Sequence, residues 1–192
     1  MDDKGQLRNP NWIRRRSLEE RLANAKVKPL FAPFASDSPP VDYVATMPEL
    51  RSLVEEPEWG SIILLRGRTP RVPQAAAQVL YQLAKLHGKS IRWVSAEGYI
   101  EMFKESWKES TLDDPRNRNL KYIQRAFDVV VLDGLGLEPG TPFDHKTLGS
   151  LIKGRHESTL TTIVVTSLTP LDMAVYGGRV AAYCAESPTI NI

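Results

Sequence analysis

The chain has 192 residues, 42% apolar and 25% charged, enough for one domain with a buried core, which excludes disordered, collagen-like and coiled-coil chains. Its 25 basic and 23 acidic residues leave a formal charge of +2, too balanced to advertise nucleic-acid binding by itself. One cysteine, Cys184, and three histidines, His87, His145 and His156, allow no internal disulfide and show no metal-ligand spacing, so no metal site is expected. Apolar runs such as residues 61–65 are too short to cross a bilayer, and Met1-Asp2-Asp3-Lys4 does not open a signal peptide. A cytoplasmic protein without membrane contact is expected.

Residues 1–28 read as a basic N-terminal arm ending in a short helix. Between Arg8 and Lys28 stand seven basic residues against only Glu19 and Glu20, so the positive charge gathers at one end. Asn9-Pro10-Asn11 argues against an early helix, and Ser17 followed by Glu20 forms a capping-box pattern that starts a helix over 18–26. Trp12 beside Arg14, Arg15 and Arg16 suits either an acidic protein surface or single-stranded DNA, where cations track phosphates and an aromatic stacks on bases. A solvated charge run is the plainer alternative.

Residues 29–60 read as a proline-rich strap and a short helix. Pro29, Pro33, Pro39 and Pro40 alternate with Leu30, Phe31 and Phe34, which suggests an extended segment anchored on the domain, followed by a helix over 47–56.

Residues 61–192 then switch to continuous apolar strands separated by helices. Strands are expected at 61–66, 91–95, 128–132, 161–166 and 188–192, and helices near 74–87, 97–108, 116–126 and 144–157. Strands that are apolar throughout fit a parallel sheet covered on both faces, hence an open three-layer α/β domain with five parallel strands. Its ligand site should lie beyond the carboxyl ends of the strands, in residues 67–74, 133–136 and 166–168.

The first of these loops, from Arg66 to Gln74, stands where a phosphate-binding loop would. Such a loop needs glycines so that successive N–H groups curl around phosphate, a lysine for the outer phosphates, and a Ser or Thr for magnesium. Only Gly67 is present; Pro73 and Gln74 fall where the lysine and the Ser or Thr belong, and Pro70 and Pro73 each remove a donor. Gly67, Arg68, Arg71 and Gln74 are the residues a nucleotide-binding remnant would use, since guanidinium pairs well with phosphate. The competing reading is a structural turn with solvated arginines, which proline near a helix start also suits.

The second loop follows Val129-Val130-Val131-Leu132 as Asp133-Gly134-Leu135-Gly136. An aspartate there orients magnesium in nucleotide hydrolases and a second acid beside it polarises water, but Gly134 takes the second place and Glu138 lies farther along. The third is Thr166-Ser167-Leu168-Thr169-Pro170, a polar tip on a buried strand that either faces a ligand or closes a turn.

Taken in order, these elements resemble the AAA+ helicase-loader family, the DnaC-like and DnaI-like proteins and their transposition relative IstB. The resemblance rests on residues 21–31, the altered phosphate loop, residues 131–136, Arg155-His156 before residues 161–170, and Tyr176-Gly177-Gly178-Arg179-Val180. It implies a P-loop NTPase-like AAA+ core in which Asp133 is a remnant magnesium-orienting residue, Ser167 holds the sensor position, and Arg179 is an arginine finger acting on a neighbouring subunit. With the last expected strand at 188–192, no C-terminal helical lid domain is expected.

Groups that would act on the protein's own nucleotide are lost at Pro73, Gln74 and Gly134, whereas Arg179, which would act on a neighbour's, remains. The expectation is a catalytically degenerate loader-like subunit that binds the replicative helicase and assists or regulates its loading, with no cofactor. Single-stranded DNA and an active AAA+ neighbour are further partners this implies. Two alternatives stay open: a weak loader that still hydrolyses ATP with Mg2+, and an IstB-like transposition ATPase.

Overall fold

A computed structural model describes residues 17–108, 120 and 123–192. Five strands, β1 (Ile62–Arg66), β2 (Ile91–Ser95), β3 (Val129–Leu135), β4 (Thr161–Thr166) and β5 (Thr189–Asn191), form one sheet in the order β2-β3-β4-β1-β5. Every pairing is parallel. The continuous apolar runs follow from this placement, because alternate side chains of each strand enter two different cores. Ile63, Leu65, Val131 and Ile163 join one with Trp93, while Ile62, Leu64, Val130, Leu132 and Val164 join the other with Tyr99 and Met173.

The helices are α1 (Leu18–Ala25), α2 (Tyr43–Thr46), α3 (Pro48–Glu55), α4 (Arg71–His87), α5 (Ala96–Lys108), α6 (Pro142–Glu157) and α7 (Gly178–Ala185). The predicted capping box opens α1: the Ser17 hydroxyl accepts from the Glu20 amide, and the Glu20 carboxylate accepts from the Ser17 amide. The expected helix over 116–126 lies mostly outside the described residues; Leu120 and residues 123–125 are helical. Trp12, Arg14, Arg15 and Arg16 also lie outside the described residues.

Three expectations are corrected. The strap is not extended throughout: Ala32–Phe34 form a 3-10 turn, with Phe31 and Phe34 buried and Leu30 74% exposed rather than anchored. Helix α4 starts at Arg71 rather than 74, because Thr69 Oγ1 takes the Arg71 amide and a proline in the first turn costs nothing there, those amides having no intrahelical carbonyl to meet. Strand β3 runs on to Leu135 through an irregularity at Gly134, whose φ of +80° suits glycine and leaves it outside the register between Asp133↔Val165 and Leu135↔Thr166.

Arg155, read in the sequence as part of the approach to β4, is fully buried and acts as a staple. Its Nε donates to Thr162 Oγ1 at 3.0 Å, Nη1 to the Ile123 carbonyl at 2.7 Å, and Nη2 to the carbonyls of Phe127 at 3.0 Å and Thr161 at 2.8 Å. Burial pushes the guanidinium down to about 9, so it is charged at neutral pH and all its bonds are charge-assisted.

Candidate functional site

The carboxyl ends of β1, β3 and β4 enclose a cavity of about 370 Å³ lined by Gly67, Arg68 and Thr69 on one side and by Asp133, Gly134 and Ser167 on the others. Sequence reasoning anticipated this convergence, and four predicted residues meet in it: Gly67, Arg68, Asp133 and Ser167. Arg71, Gln74 and Arg179 do not line it. Its remaining walls are Val72, Pro73, Leu135, Leu137 and Val165, which are apolar, and Thr166.

From Arg71 onward, the backbone amides at the start of α4 are engaged within the protein or absent. The Arg71 amide is bonded to Thr69 Oγ1, the Val72 amide to the Thr69 carbonyl, the Gln74 amide to the Pro70 carbonyl, and Pro73 has none. Gly67 donates to the Thr166 carbonyl at 3.0 Å. Its lack of a side chain serves packing: a Cβ there would stand 2.4 Å from the Ile192 carbonyl oxygen and 2.7 Å from Val72 Cγ2. Gln74 turns away from the cavity and accepts from Tyr43 Oη at 2.7 Å, joining α4 to α2.

The acidic groups are also committed. Asp133, its side chain 9% exposed, accepts from Lys28 Nζ at 2.7 Å across 105 residues of sequence. Glu138 accepts from the Gly136 amide at 2.7 Å with one oxygen and from Tyr176 Oη with the other. Desolvation, and next the bond to Glu138, drive the Tyr176 hydroxyl well above its ordinary range, so it remains a donor. Glu138 is therefore a bridge between the loop after β3 and the segment after β4, not a group free to polarise water.

These observations bear on whether a magnesium–nucleotide fits. A triphosphate needs unpaired amides at the start of α4, and the metal needs an open carboxylate and a hydroxyl ligand. The amides are used internally, Asp133 holds Lys28, and Gln74 faces Tyr43, so the residues present do not fit that group.

Arg179 stands apart, at the start of α7, 74% exposed, with Nη1 3.5 Å from Glu157 Oε1. It borders a separate depression of about 240 Å³ with Lys146, Ser150 and Lys153 of α6. The turn before it is fixed by Gly149, whose absent side chain admits the Tyr176 carbonyl; a Cβ would lie 1.9 Å from that oxygen. Gly149→Ala is therefore expected to push the Tyr176–Arg179 turn off α6 and to lower stability by about 1–3 kcal/mol in urea unfolding. A loss below about 0.5 kcal/mol would show that the turn is not held there.

Sequence reasoning missed Lys28, which it counted only among the basic residues of the arm, and Thr69, whose hydroxyl takes the Arg71 amide. Among the described residues no group of three or more potential metal ligands clusters, and no helix is long and apolar enough to cross a membrane.

The chain shares its fold with solved proteins of DNA replication, the DnaC helicase loader, DnaI and the replication initiator DnaA. The solved DnaC helicase loader matches with a TM-score of 0.69 at 19% identity, over 86% of this chain and 99% of that one. DnaI matches with a TM-score of 0.57 at 20% identity, over 97% and 95% of the two chains. The replication initiator DnaA, solved with AMPPCP and single-stranded DNA, matches with a TM-score of 0.63 at 14% identity, over 86% of this chain and 50% of its own. No family model and no curated protein sequence matches the chain.

Proposed function

We propose that this chain is a replication accessory protein of the helicase-loader type, a degenerate AAA+ subunit that docks on the replicative helicase and regulates its loading without turning over ATP itself. The likeness of its fold to DnaC and DnaI supports the loader reading. One observation carries the degeneracy: the amides at the start of α4 are bonded within the protein or replaced by proline, so the first turn of that helix has no free amides to give a phosphate. Exposed Arg179, outside that cavity, is then a group for a neighbour's phosphates, and the arm before α1 is the segment for gripping the helicase.

The test mixes the full chain with the cognate replicative helicase and, separately, with an active loader-type ATPase. Co-elution with the helicase is expected, and stimulation of the ATPase should fall about 10³-fold or more in Arg179→Ala, the loss typical of a missing arginine finger. Helicase that elutes alone overturns the docking reading. An Arg179→Ala variant that stimulates like wild type removes the finger.

A further inference from the structure

We propose that Lys28 is the resident cation of the candidate site, occupying at Asp133 the place that a metal ion takes beside such an aspartate, and so latching the α1-to-strap junction across the end of β3. The inference deepens the degenerate-site reading and rests on it, since it states what fills the position that a metal would need.

The geometry is local and specific. Lys28 follows α1 by three residues, after Lys26 has ended the helix in a left-handed cap with φ of +54°. The Lys28 carbonyl accepts from the amides of Phe31 and Ala32 at 2.8 and 3.1 Å, so its main chain is fixed as a turn while its ammonium reaches Asp133 Oδ2. On either side the junction is tied down. Arg92 Nη1 donates to the Asn24 carbonyl at 3.0 Å, fastening α1 to β2, and Phe31 packs on Trp93 with ring centroids 5.8 Å apart.

A carboxylate this buried needs a compensating charge, and the chain supplies one from a segment that precedes the first strand of the sheet. A divalent cation brought to Asp133 would have to displace an ammonium 2.7 Å away and leave that ammonium without its acceptor. The site is thus held by a cation belonging to the chain itself, which a diffusing metal ion would have to displace. Conversely, any event that draws α1 outward removes Lys28 from Asp133, so the two are coupled.

The experiment uses the full chain, without nucleotide and without helicase, and follows backbone amides by NMR in wild type, Lys28→Met and Asp133→Asn. Both variants are expected to exchange the Phe31 and Ala32 amides roughly tenfold faster than wild type, and the double variant no faster than either, because each change opens the same latch. Mn2+ alone supplies the second readout. In Lys28→Met it should broaden the Gly134, Leu135 and Ser167 signals, while wild type and the double variant stay sharp.

Broadening in wild type equal to that in Lys28→Met would overturn the proposal, as would a Lys28→Met protein with neither faster exchange nor Mn2+ broadening. Additive exchange rates in the double variant would also sink it, since the two residues would then act separately. None of these outcomes bears on helicase docking, so failure of the latch and failure of the loader reading are read from different experiments.

Discussion

Arg155→Met is expected to lower the unfolding free energy by about 3–5 kcal/mol, seen as a fall in the urea midpoint at unchanged slope. Methionine fills most of the volume but donates nothing. The carbonyls of Ile123, Phe127 and Thr161 and the hydroxyl of Thr162 would each lose the donor they now meet at 2.7 to 3.0 Å, deep in the protein. An orphaned buried acceptor costs about 1–3 kcal/mol, so three carbonyls already reach the predicted range. An apolar replacement is harmless when both partners of a buried pair can be changed together, but backbone carbonyls cannot be mutated away. Arg155→Lys should fall between the two, because an ammonium keeps the charge but cannot reproduce the fork that serves α6, β4 and the residues before β3 at once. A Met variant within about 1 kcal/mol of wild type would show that water or rearrangement satisfies those carbonyls.

The sheet was legible because its strands are buried on both faces. A run such as Ile62–Leu65 has no polar member to obscure its length, and β2 and β4 begin and end where expected. Continuity also announced the parallel order, since such a sheet must be covered on both sides. Less was readable where an element is short or has no start signal. Helix α2 has four residues, too few to display a period, and only the Asp42 cap, which accepts from the Ala45 amide, marks it. Helix α7 opens on Gly177 and Gly178 without a capping side chain.

The site was half legible for a related reason. Its position follows from topology alone, so Gly67, Arg68, Asp133 and Ser167 could be gathered from the ends of β1, β3 and β4 before any geometry was known. What those residues touch depends on side chains far away in sequence, and no spacing rule links Lys28 to Asp133. Gln74 shows the converse. Its place in the loop suggested a role toward nucleotide, but the Tyr43 hydroxyl takes its oxygen, and Gln78 one turn on accepts the Tyr43 amide, so this face of α4 binds α2. Glu138 was near enough to Asp133 to be weighed as a replacement acid, and the positive φ of Gly136 instead curls the loop until the Gly136 amide meets Glu138.

Restoring the two missing side chains should not restore the nucleotide site. The double variant Pro73→Lys/Gln74→Thr is expected to show no heat of binding with 1 mM ATP and Mg2+ in calorimetric titration, against micromolar binding by an intact site, a gap of about three decades or roughly 4 kcal/mol. Phosphate is gripped first by backbone amides, and those changes leave the backbone almost as it is. Pro70 still precedes the first residue of α4, the Arg71 amide still meets Thr69 Oγ1, and the Val72 amide still meets the Thr69 carbonyl. The amide gained at position 73 falls in the first turn of α4, one donor where a cradle needs several in sequence. Widening the loop with a second glycine at Arg68 would not help alone, because Val72 and the Ile192 carbonyl already pack against Gly67. At the metal side Lys28 still holds Asp133, so the new threonine would face a carboxylate that is already paired. Clear binding by the double variant would mean that the amides at the start of α4 release their internal acceptors readily, and that side-chain loss alone separates this cavity from a working one.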